Sequence, residues 1–582
     1  MATATRHPEA SVQAELERLL TVAAAEGGPF HPATLARLDR DEAFPDDCCA
    51  LLDTFGLQQY YVPARNGGRL ADVAAFVALL RTVARHDLTV AVAHAKTLLG
   101  AVCVWVAGSP EQTARTAAAV RDGAVVSWAL TERHHGSDLL AGELTATRTA
   151  DGWRLDGEKW LINNATRGDQ LCVLARTDPA GGARGYSVFL VDKAALAADQ
   201  YTYLPKVPTH GIRGADISGI SFTGARLPQS ALVGAEGTGL ETVLKSLQLT
   251  RTVCTALSLG AGDHALRLAA GFATRRELYG RTLADLPRVR QILGRGLGAL
   301  LLNEAVAVVA ARAAGALPGE LVVTSAVAKA FVPATTQETL DSLGELIGLR
   351  AFLTEEYAHG MFGKLERDHR VAGIFDGSTP VNRSSLIQQF GSLARGYAAA
   401  RADERGTALA AALTEPVADL DLSRLKLVAA KGCSLVQSLP ATVRRCAGLV
   451  EAGLLPAPVL EAARRIEALA DRLHTDMAPY VPAPRDVPAA AFRLAERYEA
   501  VFAAAACLHL AVHNQDRFRP GGTHRLWRDG LWLRACLGHV LRKLGEDPGT
   551  DAEQAYGELA ALLAAEPDGT FSLLHQDTES TR

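Results

Sequence analysis

The stretch ALTERHHGSD, Ala129 to Asp138, followed at a short interval by LDGEKWLINNA, Leu155 to Ala165, decides how the rest of the chain is organised. The first segment reads as a strand that ends in Thr131-Glu132 and turns through Gly136-Ser137, and the second as a returning Gly-Glu-Lys-Trp strand. Together they describe a small β layer whose loop presents backbone N–H groups and hydroxyls. Taken alone, Gly136-Ser137-Asp138 is an ordinary turn with an Asx-type stop, so the surrounding pattern has to say more.

Outward from this pair, short alternating runs continue from Val125 to Leu232 (ELTATRT, GWRLDGEKWLI, QLCVLART, GYSVFLVD, DISGISFTGARL), separated by Asp-Gly, Gly-Gly and Pro signals. That pattern predicts a β domain. Upstream, apolar positions recur at three and four spacing in ASVQAELERLLTVAAA, DDCCALLDTFGL and LADVAAFVALLRTVARHD, which predicts helices. A short extended piece is expected at Gln59 to Pro63, before a turn at Gly67-Gly68. After GAEGTG, Gly234 to Gly239, helical periodicity resumes to about Arg395, and the remainder is helical again, broken by MAPYVPAPRDVP and DRFRPGGTH. The expected fold class is α+β: an N-terminal helical domain at 1–124, a β domain at 125–234, a helical bundle at 235–396 and a C-terminal helical extension at 397–582.

Bulk properties bound the function. A chain of 582 residues exceeds what one hydrophobic core supports. A formal net charge of -4, with arginines spread along helical segments, gives no basic face for nucleic acid. Nine cysteines without a C-x-x-C pair read as reduced, buried thiols. MATATRHPEASVQAELERLL lacks the apolar core of a secretory signal, and no uninterrupted apolar run of about 18 residues occurs. A cytoplasmic protein without membrane contact is expected. VFAAAACLHLAV and LWLRACLGHVL read as packed helices.

The pair of segments resembles the flavin-contacting β-domain signature of the acyl-CoA dehydrogenase family. The likeness runs in order through FGLQQYYVPARNGG, VPTHGIRGADISGISF and GAEGTGL to about Arg395. The resemblance implies FAD. Thr131, Gly136 and Ser137 match the family's Thr-Glu-Pro-x-x-Gly-Ser-Asp contacts to the ring edge and phosphate, with Trp128 and Leu130 on the same strand. Leu161 stands in the place of a tryptophan that packs on the ring, and Asn163 in that of a threonine whose hydroxyl meets N5; an amide can still donate there. Arg276 and Tyr279 match Arg-x-x-Phe-Gly, whose arginine reaches the pyrophosphate across a subunit contact. Glu345 and Gly348 fall in the family's Gln-x-x-Gly-Gly, with Glu345 for the glutamine and Leu349 for the second glycine. Ser378 follows on the cofactor side, and Pro380 replaces a cofactor-binding glutamine.

For substrate, the resemblance assigns Arg251, Thr250 and Gly377 to the acyl-CoA site, with Arg251 on the helix that lines it. One branch of the family places its acid immediately before this arginine; here that residue is Thr250. The base is then expected in RDHRVAGIFDGSTPVNR, where Asp376, followed by Gly377, stands in the glutamate position of Ile-Tyr-Glu-Gly-Thr. The alternative reading of Asp376 is the first residue of an Asp-Gly turn. A thioester α-proton is too weakly acidic for water to take, so a partly desolvated carboxylate must remove it while donors hold the carbonyl and the β-hydrogen leaves as hydride. Aspartate is shorter than glutamate by roughly 1.5 Å of reach.

The expected activity is α,β-dehydrogenation of an acyl thioester carried on coenzyme A or on an acyl carrier protein. By analogy electrons pass to an electron-transfer flavoprotein. The extension resembles the extra helical domain of very-long-chain members, which form homodimers. A flavin monooxygenase or acyl-CoA oxidase on the same fold, and a non-catalytic scaffold that has lost flavin, stay open as alternatives. His134 and His135 are adjacent and lack a third ligand at useful spacing, so no metal is expected.

Overall fold

The computed structural model describes residues 8–483, 486–519 and 524–574. The chain divides into two compact units: Met1–Thr250 with Asp419–Leu427, and Arg251–Ala418 with Val428–Arg582.

The first unit opens with helices, including Val73–His86, Leu88–Ala107 and Pro110–Arg121. Asp87 separates the first two of these; its backbone N–H closes one helix on Val83 and its carboxylate caps the next at the Val90 N–H, 2.9 Å away. Ser109 and Gln112 form a capping box ahead of Pro110–Arg121. The Leu88–Ala107 helix is apolar on all sides and buried on all sides, as a core helix must be. The piece expected to be extended at Gln59 to Pro63 instead lies mostly within a 3₁₀ turn, Leu57–Tyr61, with Tyr60 and Tyr61 buried.

Eight strands follow: β1 Val126–Ala129, β2 Thr145–Arg148, β3 Gly152–Asn163, β4 Gln170–Arg176, β5 Tyr186–Asp192, β6 Tyr201–Leu204, β7 Ile217–Pro228 and β8 Leu232–Val233. They form one sheet in the order β6-β7-β3-β2-β4-β5-β8, with β1 paired to β4 in parallel. β4 and β5 are apolar on both faces and buried on both. Trp153, Ile162, Val173, Phe189 and Phe222 build the core between the sheet's faces, with the Trp153 and Phe189 rings edge to face at 5.1 Å. The Thr131-Glu132 segment does not turn straight back into the Gly-Glu-Lys-Trp strand. A 3₁₀ turn, Leu139–Ala141, and β2 come between, and it is β2 that pairs antiparallel with β3. Segment Asp419–Leu427 joins this unit, where Lys426 O accepts from Gln248 at 2.8 Å.

The second unit is helical. The long helices Thr255–Arg275, Pro287–Ala316 and Leu321–Ile347 pack with the later helices Ala489–His513, Leu531–Lys543 and Gly549–Ala565. The later helices share the core of the earlier ones. A Cβ on Gly294 would lie 1.9 Å from Tyr556 O, so only glycine lets those backbones meet. Fully buried Glu304 accepts from Ser572 Oγ at 2.5 Å and from the Leu573 N–H at 2.7 Å, fastening the end of the described chain. Leu88–Ala107 and Pro287–Ala316 are long and apolar enough to cross a membrane, but 78% and 89% of their most apolar windows are buried within the protein. VFAAAACLHLAV and LWLRACLGHVL lie in buried helices.

Candidate active site

In the first unit, the loop after β1 is organised by a buried ion pair. Lys159 Nζ lies 2.7 Å from Glu132 Oε1, and both side chains are almost wholly buried. Glu132 also accepts the N–H groups of Glu143 (2.6 Å) and Leu144 (3.1 Å), while Lys159 donates to Leu130 O at 3.0 Å. Burial alone would raise the Glu132 pKa, but Lys159 and the two N–H donors outweigh it and hold the carboxyl below its ordinary range. Burial pulls the Lys159 pKa down, against the attraction of Glu132. Trp160 N–H bonds Thr131 O at 3.0 Å, tying the loop to β3, and the Arg133 guanidinium lies 4.9 Å from the Trp160 ring centre.

This anchoring presents Gly136 and Ser137 at the surface, leaves Thr131 half-buried, and keeps open space around Gly136. Trp128 Nε1, buried, has no hydrogen-bond partner among the described residues. Leu130 is half-buried. β3 shifts register against β7 between Trp160 and Ile162, and Leu161 sits in that bulge at φ 56° with 39% of its surface exposed. Asn163 turns its amide nitrogen toward Val92 O at 3.5 Å, and its buried oxygen is the unpartnered atom. As placed it offers an acceptor, where a donor to N5 was expected; turning the amide over exchanges the two. Asn164 donates to Ala93 O at 2.9 Å. The orphaned donor of Trp128, the open glycine and the exposed hydroxyl fit a polar ring edge and phosphate.

In the second unit, Asp376 and Gly377 form a left-handed pair, at φ 53° and 90°. Arg251, 6% exposed, donates from Nε to Asp376 O at 3.1 Å. Its guanidinium pKa falls to about 10, because burial disfavours the charge while Asp376 pulls the other way. Gly377 O accepts from Asn382 Nδ2 (2.8 Å) and from Lys329 Nζ (3.3 Å), and Lys329 also donates to Ala372 O at 2.6 Å. Cys254 Sγ donates to Asp376 Oδ2 at 3.2 Å. The Asp376 side chain is half-buried, and the backbone oxygens of the Asp376-Gly377 pair together accept from three side chains. Thr250 is fully buried and its hydroxyl donates to Leu247 O of its own helix, so no acid stands there.

The remaining expected positions are spread around the second unit. Arg276 caps the end of Thr255–Arg275 and is exposed, rather than lying within the helix. Tyr279 and Gly280, both at positive φ, make the two-residue turn of a hairpin between Glu277–Leu278 and Arg281–Thr282, and Tyr279 is 85% exposed. Glu345 is exposed on the last turn of Leu321–Ile347, and Gly348 follows at φ 69°. Leu349 is 73% exposed and fills no interior space. Tyr357 pins the segment after it, donating to Leu268 O at 2.7 Å and packing edge-on to Phe272. The Ser378 hydroxyl caps Thr379–Ile387 by accepting from Val381 N–H at 3.4 Å, which keeps its own O–H as a donor and leaves Pro380 in the first turn, where proline is favoured. His135 pairs with Asp138 at 2.9 Å.

Four residues at these sites escaped the sequence reading: Cys254, Lys329, Asn382 and the Lys159 partner of Glu132. Lys329 had a signal, a lone charge in the apolar run SAVAKAFV, which demands buried partners. Arg251 and Cys254 stand three apart, the spacing of one helix face.

Comparison with known proteins agrees with this layout. The acyl-CoA dehydrogenase N-terminal, middle and C-terminal domain profiles match residues 29–124, 127–225 and 237–390 in that order. A probable acyl-CoA dehydrogenase FadE25 of Mycobacterium tuberculosis is 29% identical over 60% of this chain and 88% of its own length. A cyclohex-1-ene-1-carbonyl-CoA dehydrogenase of Geobacter metallireducens is 26% identical over 60% of this chain and 90% of its own. The solved structure of an acyl-CoA dehydrogenase complexed with FAD from Bacillus anthracis has the same fold, with a TM-score of 0.70 at 17% identity, over 97% of this chain and 96% of that one. That overlap includes the C-terminal helices.

Proposed function

Because the chain belongs to the acyl-CoA dehydrogenase family, we propose that this FAD-dependent oxidoreductase desaturates an acyl thioester between its α and β carbons, with Asp376 taking the α-proton. The observation that carries the reading is the Asp376-Gly377 pair. Arg251, Lys329 and Asn382 hold its backbone oxygens, so the piece of main chain that carries the half-buried carboxylate is fixed in place. Bound flavin supplies the hydride acceptor. Trp128, Thr131, Gly136, Ser137 and Asn163 are the residues that would hold its ring side and phosphate, and Arg276 would reach a pyrophosphate across a subunit contact.

The chain's own contribution is orientation and proton removal. Half-burial strips part of the water from Asp376, and the Arg251 guanidinium is engaged with its backbone oxygen. Electrons are proposed to leave to an electron-transfer flavoprotein. Tyr279, Leu349, Phe352 and Ile374 are large apolar side chains 66% to 85% exposed, which supports a homodimer in which a second copy covers them.

The test is a screen of acyl-CoA and acyl-carrier thioesters for anaerobic bleaching of the flavin band at about 450 nm, with Asp376→Asn beside the parent. Bleaching of the parent alone supports the reading. Equal bleaching of both removes Asp376 from the mechanism, and reduction only by a nicotinamide cofactor, with substrate hydroxylation once oxygen is admitted, would favour a monooxygenase.

A further inference from the structure

We propose that Cys254 is a positioning residue whose thiol hydrogen bond fixes the plane of the Asp376 carboxylate. The inference rests on the assignment of Asp376 as the base and deepens it. Cys254 occupies the single residue between the helices Gly239–Val253 and Thr255–Arg275 and is 3% exposed. One turn earlier, Arg251 grips the Asp376 backbone oxygen at 3.1 Å, and Cys254 Sγ lies 3.2 Å from Oδ2 of the same residue. A backbone grip does not by itself set rotation about Cα–Cβ and Cβ–Cγ. The thiol contact acts on those torsions directly.

The chemistry of the donor suits the task. A carboxylate that must accept a carbon-bound proton is weakened by strong donors, because they stabilise its charged form. A hydroxyl or an ammonium at this position would orient the carboxylate and blunt it together. A thiol is a weak donor, so it directs Oδ2 at little cost in basicity. Aspartate needs this more than glutamate would, because its shorter reach leaves less room to recover from a wrong rotamer. A misplacement of about 1 Å can slow a reaction on the order of a hundredfold.

Three substitutions separate positioning from packing. Cys254→Val keeps volume and apolarity without a donor, Cys254→Ser keeps a donor but puts a polar group in a buried place, and Asp376→Asn removes the base. Each flavin-loaded variant is mixed anaerobically with butyryl-CoA and with octanoyl-CoA, and the limiting rate and half-saturation concentration of flavin reduction are read. The expected order is parent, then Ser, then Val, with the Val variant slowed about tenfold at an unchanged half-saturation concentration. A packing role predicts the reverse, with Val at least equal to Ser.

The infrared S–H stretch of Cys254, assigned by its loss in Cys254→Val, gives a readout apart from activity. It should shift in Asp376→Asn, because the acceptor changes from a carboxylate to an amide. Val equal to or faster than Ser, or an S–H band unmoved by Asp376→Asn, overturns the inference while leaving the base in place. Flavin reduction in Asp376→Asn at the parent's rate overturns the base assignment and the inference with it.

Discussion

Replacing Gly377 with alanine probes the turn that presents the carboxylate. The added Cβ would stand at φ +90°, 2.9 Å from Arg251 Nη2 and 3.3 Å from both Arg251 Nε and Asn382 Nδ2. Left-handed backbone costs a non-glycine residue roughly 1–2 kcal/mol. Relief of the contact requires the guanidinium to retreat by about 0.5 Å, since carbon contacts settle at roughly 3.5 Å. The Arg251 Nε to Asp376 O bond, now 3.1 Å, then passes beyond hydrogen-bond range. Loss of a bond from a charged donor adds roughly 1.5–3 kcal/mol. The total, on the order of 3 kcal/mol, corresponds to a fall in Tm of several degrees in a domain of this size. The base moves with the backbone by a comparable fraction of an ångström, so the limiting rate of anaerobic flavin reduction should drop by roughly ten- to a hundredfold. Calorimetry and stopped-flow absorbance read the two effects on one preparation. A Tm and a reduction rate both within error of the parent would refute the clamped-turn account.

Further outcomes follow from other parts of the structure. Lys159→Met strands buried Glu132 without its ion-pair partner and should cost about 3–5 kcal/mol, read as a lower Tm and substoichiometric flavin after purification; Met tolerated at full flavin content would contradict the role given to the pair. Trp128→Phe removes a donor that has no protein partner among the described residues, so folding should be unaffected while flavin is retained roughly fivefold more weakly, measured by equilibrium dialysis. His369, His509 and His539 have pKa values lowered to about 3 and His474 to about 4, in each case chiefly by burial. Their folded pKa values lie below the unfolded one, so the unfolded chain binds more protons between pH 6.5 and 4 and stability must fall as pH falls through that window. If all four stay neutral, the slope approaches about 5 kcal/mol per pH unit, and a Tm that is flat from pH 7 to pH 5 would refute their buried neutral state.

Much of the fold was legible because the periods are strong. β3 to β5 and β7 carry alternating or continuous apolar runs with Gly and Pro punctuation, and the long helices carry apolar faces or are apolar throughout. The parallel partnership of β1 with β4 was not legible, since pairing between distant strands leaves no local mark. Nor was the detour after Thr131, which depends on Lys159 reaching back across the fold to Glu132. Segment Asp419–Leu427 belongs to the first unit although its neighbours on both sides belong to the second, and nothing in DLDLSRLKL announces it. At the site, motif register placed Asp376 and Arg251, and the structure brings them together at the Asp376 carbonyl. Register could not place Cys254, because the thiol matters only through where the Asp-Gly pair folds. Nor did it announce that Ser378 caps a helix, a use to which that residue type is put as readily as to ligand binding.

The most direct test of the proposed chemistry is the isotope effect on anaerobic flavin reduction by an acyl-CoA carrying deuterium at the α carbon. If Asp376 removes that hydrogen as a proton while the β-hydrogen leaves as hydride, α-deuteration slows reduction in the parent, and Asp376→Asn shows no reduction with either isotopologue. Reduction that is insensitive to α-deuterium and survives in Asp376→Asn would contradict it.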